Sequence, residues 1–262
     1  MDVRGKVALV VGASSGMGRA LALDLASRGA TVVATARRAP LLETLASEIL
    51  TTGGRCSVHQ ADAQDPATAE QVVRACIVEH GRIDLLILNA GGAPALDMRE
   101  MQASDVLAYM RSNYDVAVSF LLPVLHRMRE QGGGLVLVTN SLAGLMAVPL
   151  QGPYSAAKGA LKLLIDTCRI EFGMYGIRFT TVYPGFVATQ ATRNDGMPST
   201  LQVSEARAVR ELVRAIQREP LDRAFPWVMA RLVGLANALP KRLLVWILRR
   251  DLPPNRSTHH VY

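Results

Sequence analysis

The sequence predicts an α/β fold: a doubly wound parallel sheet with helices on both faces. Three observations predict it. Short β-branched apolar runs alternate along the chain with segments of helical spacing. The strand candidates are nearly all-apolar rather than alternating, as expected when both faces of a sheet are covered. A glycine-rich turn stands between the first apolar run and the first helical segment, the context in which such a turn cradles a phosphate.

The elements follow in order. Val7–Val11 reads as the first strand, and the turn Gly12-Ala-Ser14-Ser15-Gly16-Met17-Gly18 leads into a helix over about 16–28. Further strands are expected at Thr31–Thr35, Cys56–Gln60, Leu85–Leu88, Leu135–Thr139 and Phe179–Tyr183. Helical spacing fills the gaps at about 41–52, 66–80, 104–130 and 154–175. The long 104–130 segment reads as two helices or one bent one, with Pro123 as a local irregularity. Pro153 suits the start of the 154–175 helix. After Thr189 the pattern loosens into a loop, then a helix from about Leu201 to Arg218. Ala224–Trp227 reads as a short last strand, and helical pieces at about 228–238 and 241–250 are separated by Pro240.

Strand–helix alternation without repeat or linker predicts one domain over 1–262, with a substrate loop at about 186–204 and a basic helical extension at about 221–262. Half the residues are hydrophobic and 19% are charged, which excludes a disordered chain. Cys56, Cys76 and Cys168 form no C-x-x-C pair, so disulfide and zinc frameworks are excluded and buried thiols are expected. The five histidines lack metal-ligand spacing, and no metal is expected. The first residues run straight into a strand, leaving no room for a signal peptide, and no apolar run approaches the roughly 18 residues of a membrane span. The expected location is the cytoplasm.

The net charge of +7 is uneven: from Leu221 onward seven Arg or Lys face two Asp. A solvated helix face is the plainer reading. Basic and aromatic residues do not interleave, and no nucleic-acid partner is expected. The segment Leu239-Pro-Lys-Arg-Leu-Leu-Val-Trp-Ile-Leu-Arg-Arg mixes apolar and basic faces, which fits a membrane surface, a lipid-like substrate, a second subunit or its own fold.

The chemistry is carried by two constellations. In the first, glycines at 12, 16 and 18 let the backbone approach a pyrophosphate at a helix N-terminus. The second strand ends in Ala36-Arg37-Arg38, with guanidinium groups where an NAD enzyme usually places a carboxylate. That predicts NADP(H), with Arg37 the main contact and Arg38 or Ser14 assisting. In the second, Tyr154 and Lys158 stand four apart on one helix face, and Ser141 lies at the carboxyl end of the fifth strand. A nearby ammonium is expected to lower the phenol pKa, so that Tyr154 exchanges a proton with a carbonyl or alcohol oxygen while Ser141 hydrogen-bonds the same oxygen.

Taken together, these residues resemble the short-chain dehydrogenase/reductase family in its single-domain, Rossmann-like form. The resemblance covers residues 5 to about 190. It implies that Asn113, Ser141, Tyr154 and Lys158 are catalytic, Asn113 by holding a water in a proton relay to the lysine. It implies that Gly12–Gly18 form the nucleotide turn and that Asp62 and Ala63 lie beside the adenine. Asn89-Ala90-Gly91 would border the adenosine ribose, and Lys158 would also bind the nicotinamide ribose. Pro184, Gly185, Val187 and Thr189 match the segment that touches the carboxamide. Two departures are Val11, where threonine commonly opens the turn, and Asn140, where a second serine is frequent. The resemblance implies a homodimer or homotetramer built on the 104–130 and 154–175 helices.

The expected function is NADPH-dependent reduction of a ketone or aldehyde, or the reverse. Ser141, Ala143, Met146, Tyr154 and Phe186 would meet the substrate. Their mostly apolar surroundings predict a hydrophobic carbonyl or alcohol. Trp227 and Trp246 fit a substrate entrance, a core or an interface. A catalytically silent nucleotide-binding scaffold of the same fold is the alternative.

Overall fold

The computed structural model describes residues 1–92, 94–188 and 202–252. Seven strands form one parallel sheet: β1 (Val7–Val11), β2 (Thr31–Ala36), β3 (Arg55–Gln60), β4 (Leu85–Leu88), β5 (Gly134–Thr139), β6 (Ile177–Pro184) and β9 (Asp222–Phe225). Their order is β3-β2-β1-β4-β5-β6-β9, and every neighbour pair is parallel. A two-residue pair, β7 (Val187–Ala188) with β8 (Val203–Ser204), stands apart from the sheet. The helices are α1 (Gly16–Ser27), α2 (Ala39–Thr51), α3 (Pro66–His80), α4 (Ala103–Met110), α5 (Val116–Glu130), α6 (Gly152–Phe172), α7 (Glu205–Arg218), α8 (Trp227–Ala238) and α9 (Lys241–Leu248).

The apolar strands have the predicted reason. In β1, Ala8 and Val10 join the core under α1, α2 and α7, with Leu21, Leu25, Leu45, Leu212 and Ile216. Val7, Leu9 and Val11 face the other core, under α3, α5 and α6, with Val72, Phe120, Leu121, Leu161 and Ile165. Alternate side chains of one strand therefore enter two separate cores, so neither set can be polar.

Most elements shift by one to three residues at their ends, and three differences have a local cause. The 104–130 segment breaks at a single π turn, Arg111–Asp115, while Pro123 lies inside the intact α5. The helix expected from Leu201 begins at Glu205, because Ser204 accepts a hydrogen bond from the Arg207 amide and so caps it. The last strand is Asp222–Phe225, not Ala224–Trp227. Pro226 has no N–H to continue a ladder and stands instead at the N-cap of α8. Most of the expected substrate loop, including Thr189, lies outside the described residues.

Candidate active site

Parallel strands deliver their carboxyl ends to one edge, and the candidate residues emerge there. After β1, the Gly12 and Ala13 amides both donate to the Thr35 carbonyl, folding the turn against β2. Gly12 has φ +88°, and a Cβ there would lie 2.8 Å from the Ala90 backbone. A Cβ on Gly18 would lie 2.2 Å from the Gly12 carbonyl oxygen and 2.7 Å from Asn89 Nδ2. The turn, α1 and the Asn89-Ala90-Gly91 segment thus meet at a distance only glycine allows.

The first turn of α1 carries no acidic residue, and its N-cap, Ser15, makes no capping hydrogen bond. Its free amides and dipole present positive character to an anion. Arg38 reaches over this turn. Its guanidinium donates to Ser14 Oγ at 2.8 and 3.2 Å and to Ser15 Oγ at 2.6 Å. Arg37 is exposed at the end of β2, and its backbone carbonyl accepts from Gln60 Nε2 at 3.1 Å. Of the two arginines, Arg38 is the one held against the glycine turn. Asp62 is exposed beyond β3 and accepts from the Gln64 amide at 3.0 Å, with Ala63 half-buried beside it. Asn89 Oδ1 is buried and has no partner.

Asn113 is placed by the π turn, a bulge that often marks functional positions. Its Oδ1 accepts from the Gly92 amide at 3.0 Å, and its Nδ2 donates to the Tyr109 carbonyl and to Ser112 Oγ. A Cβ on Gly91 would lie 2.7 Å from Asn113 Oδ1 and 3.6 Å from Lys158 Nζ. Asn113, Gly91 and Lys158 therefore converge.

Asn140 braces the carboxyl end of β5. Its Nδ2 donates to the Lys158 carbonyl at 3.0 Å and its Oδ1 accepts from the Ser141 amide at 2.8 Å. The Ser141 hydroxyl accepts from the Ala143 amide at 3.1 Å and lies close enough to the Tyr154 phenol to lower its pKa. Lys158 Nζ donates to the Thr139 carbonyl at 3.0 Å and lies 5.7 Å from the centre of the Tyr154 ring. Phenol, ammonium and alcohol thus come together as the spacing predicts.

The protonation balance differs from the sequence expectation. Tyr154 keeps part of its surface exposed, yet its phenol end is shielded, and burial pushes it up to about 12 against the smaller lowering by Ser141. Burial likewise pushes Lys158 down to about 8. The ammonium was expected to lower the phenol. It instead points into the Thr139 carbonyl, and desolvation outweighs its influence.

Pro184 is buried at the end of β6, and the Gly185 amide donates to the Phe225 carbonyl at 2.7 Å. Val187 is buried in β7, while Phe186 and Met146 are half-buried. Ala143 is buried next to Ser141. Sequence reasoning missed Tyr109, whose charged form would raise Tyr154 and whose own hydroxyl donates to the Pro94 carbonyl at 2.5 Å. Its position four residues before Asn113 was the available signal. It also missed Leu150, which has φ +62° and whose carbonyl accepts from the Leu96 amide, next to the segment that carries Tyr154. No group of three or more His, Cys, Asp or Glu is placed to hold a metal among the described residues.

The residues fit a dinucleotide. Glycines draw the turn tight against Asn89 and Ala90 below a helix N-terminus with free amides, a guanidinium overhangs it, and the buried Asn89 oxygen lacks a donor such as a ribose hydroxyl.

Comparison with known proteins gives a consistent result. Residues 6–198 match the short chain dehydrogenase family. An uncharacterized oxidoreductase of Myxococcus xanthus is 32% identical over 245 residues, spanning 94% of this chain and 97% of its own. The L-rhamnose 1-dehydrogenase (NAD(P)(+)) of Azotobacter vinelandii is 35% identical, spanning 89% of this chain and 94% of its own. Among solved structures, an alcohol dehydrogenase from the archaeon Thermococcus sibiricus, complexed with 5-hydroxy-NADP, superposes with a TM-score of 0.76 at 26% identity, covering 85% of this chain and 96% of that one.

Proposed function

The chain belongs to the short-chain dehydrogenase family, oxidoreductases acting on CH–OH and C=O groups, and on that premise we propose that it is an NADPH-dependent reductase of hydrophobic ketones or aldehydes. The observation that carries the reading is the gathering of Tyr154, Ser141 and the buried Lys158, whose ammonium lies 5.7 Å from the centre of the Tyr154 ring, at the carboxyl end of the sheet. The nicotinamide would supply hydride to the carbonyl carbon. Tyr154 gives its phenolic proton to the carbonyl oxygen, completing the alcohol. Ser141 hydrogen-bonds that oxygen as charge develops on it. Lys158 places a positive charge beside the phenol and stabilises the phenolate that remains once the proton has moved. Asn113, fixed by the Gly92 amide, positions the lysine side of the cleft.

The nucleotide would lie along Gly12, Ser14, Ser15, Gly16, Met17 and Gly18, with Asp62 and Ala63 toward the base and Asn89-Ala90-Gly91 toward the ribose. Pro184, Gly185, Val187 and Thr189 would follow the nicotinamide. Arg38, already anchored on Ser14 and Ser15, joins Arg37 in selecting a 2′-phosphate. The cofactor named with the Thermococcus sibiricus structure supports this choice. The fold would act as one nucleotide-binding unit carrying a C-terminal extension. It would associate as a dimer or tetramer through the α4–α6 side, where Leu107, Leu163, Ile170 and Met174 are exposed.

Two variants test the reading. Tyr154→Phe should lower NADPH-consuming turnover by about 10² or more while NADPH binding, followed by fluorescence titration, stays within a few-fold. Retained turnover would reject the phenol as the acid. The double variant Arg37→Asp with Arg38→Asp should swing preference toward NADH, and unchanged NADPH affinity would refute the 2′-phosphate assignment.

A further inference from the structure

The C-terminal helices, like the short α4, lie on the outside of the fold. Neither α8 nor α9 contains a buried residue. Trp227 is 69% exposed, Leu235 67%, Leu232 55% and Trp246 55%. On α8, Val228, Leu232 and Leu235 follow helical spacing along one side. On α9, Leu243, Trp246 and Ile247 do the same. Neither tryptophan belongs to a core, one of the places open to them from sequence.

Charge is equally one-sided. From Trp227 to Arg250 the chain carries Arg231, Lys241, Arg242, Arg249 and Arg250 and no aspartate or glutamate. Arg250 lies 3.8 Å from the centre of the Trp246 ring, so a cation and an amphipathic ring share one location. Among the described residues no helix is long and apolar enough to cross a membrane.

We propose that α8 and α9 form a docking surface for an anionic lipid bilayer. Apolar side chains with tryptophans enter the headgroup boundary, and the five cations pair with lipid phosphates around them. A second copy of the chain fits less well. A two-fold interface would set this carboxylate-free basic face against itself.

The surface is joined to the candidate active site. Asn237 Nδ2 donates to the Leu145 carbonyl at 2.8 Å, beside the 3-10 turn Leu142–Gly144. Met229 packs so closely on Gly185 that a Cβ there would lie 2.8 Å from its sulfur. Docking would therefore hold the rim of the apolar cleft at the lipid boundary, where a membrane-dissolved substrate resides.

The chain's only tryptophans, Trp227 and Trp246, both lie on this surface, so intrinsic tryptophan emission reports on it alone. The test mixes the full-length protein with phosphatidylcholine vesicles, with and without phosphatidylglycerol. Co-sedimentation and a blue shift of emission are expected only with the anionic vesicles, and both should fall with added salt. Lys241→Gln with Arg242→Gln should lower partition by roughly 30-fold. The same variant should leave oxidation of NADPH by a water-soluble ketone unchanged, which separates this surface from the catalytic reading. Absence of binding to anionic vesicles overturns the proposal, as does equal binding to neutral ones. Concentration-dependent self-association that shifts the emission without lipid assigns the face to a second copy and overturns it as well.

Discussion

Replacing Lys158 by methionine should stabilise the protein at neutral pH while destroying its activity. Lys158 is 4% exposed, and its ammonium has the Thr139 carbonyl as hydrogen-bond acceptor. Burial lowers its pKa from 10.5 to about 8. That difference corresponds to about 3 kcal/mol of penalty on the charged form. Methionine has similar length and no charge, so it removes the penalty. It also removes one hydrogen bond, which returns about 1 kcal/mol. The net gain at pH 7 is about 2 kcal/mol, read by urea unfolding of the protein without nucleotide.

The pH dependence is the sharper measurement. Below pH 8 both folded and unfolded chains hold the lysine proton, and the wild type carries the full penalty. Between about 8 and 10.5 the unfolded chain binds more protons than the folded one, so wild-type stability rises with pH relative to the variant. The methionine advantage should therefore shrink steadily over that interval. The raised Tyr154 is common to both proteins and cancels. An advantage that does not change from pH 7 to 10, or a variant less stable than wild type at pH 7, would refute the burial argument. In the same preparation, kcat/KM for NADPH-driven reduction should fall at least about 100-fold.

Two further outcomes follow from the same geometry. Gly18→Ala places a methyl 2.2 Å from the Gly12 carbonyl, which has no room to retreat; it should cost about 1–3 kcal/mol in thermal unfolding and weaken NADPH binding, whereas Gly234→Ala in the open α8 should be neutral or stabilising. Alcohol oxidation should accelerate as pH rises from 7 to 10 while carbonyl reduction does not, because only oxidation needs the phenolate of a Tyr154 whose pKa is about 12; parallel pH profiles in the two directions would contradict this.

The fold was legible where each strand is an uninterrupted apolar run between glycine or charged residues. Val7–Val11 and Leu85–Leu88 match residue for residue, since both are central strands buried on two faces. Legibility fell at the sheet edge. Asp222, Arg223 and Ala224 do not look like a strand, and they pair only because β6 offers a free edge to them. The π turn left no trace in periodicity, because one extra residue per turn leaves the apolar spacing on either side intact. Its cause is tertiary: Asn113 must reach the Gly92 amide. Pro123 drew attention instead, as the only helix breaker visible in the letters.

At the site, the letters carried which groups meet but not their protonation. Tyr154 and Lys158 were legible because four residues on a helix fix two side chains to one side. The direction of the phenol shift was misread because pairwise attraction can be guessed from spacing, whereas desolvation depends on what covers the pair. Burial disfavours the charged form of both groups, so it drives the phenol up and the ammonium down together. At neutral pH both are then protonated. That state suits reduction: a phenol near 12 is still a far stronger acid than the alcohol it creates, so its proton moves downhill once the oxygen gains charge. The opposite direction must begin by making a phenolate that burial opposes. The arrangement leaves the equilibrium between alcohol and carbonyl untouched; what it sets is the protonation state from which each direction starts.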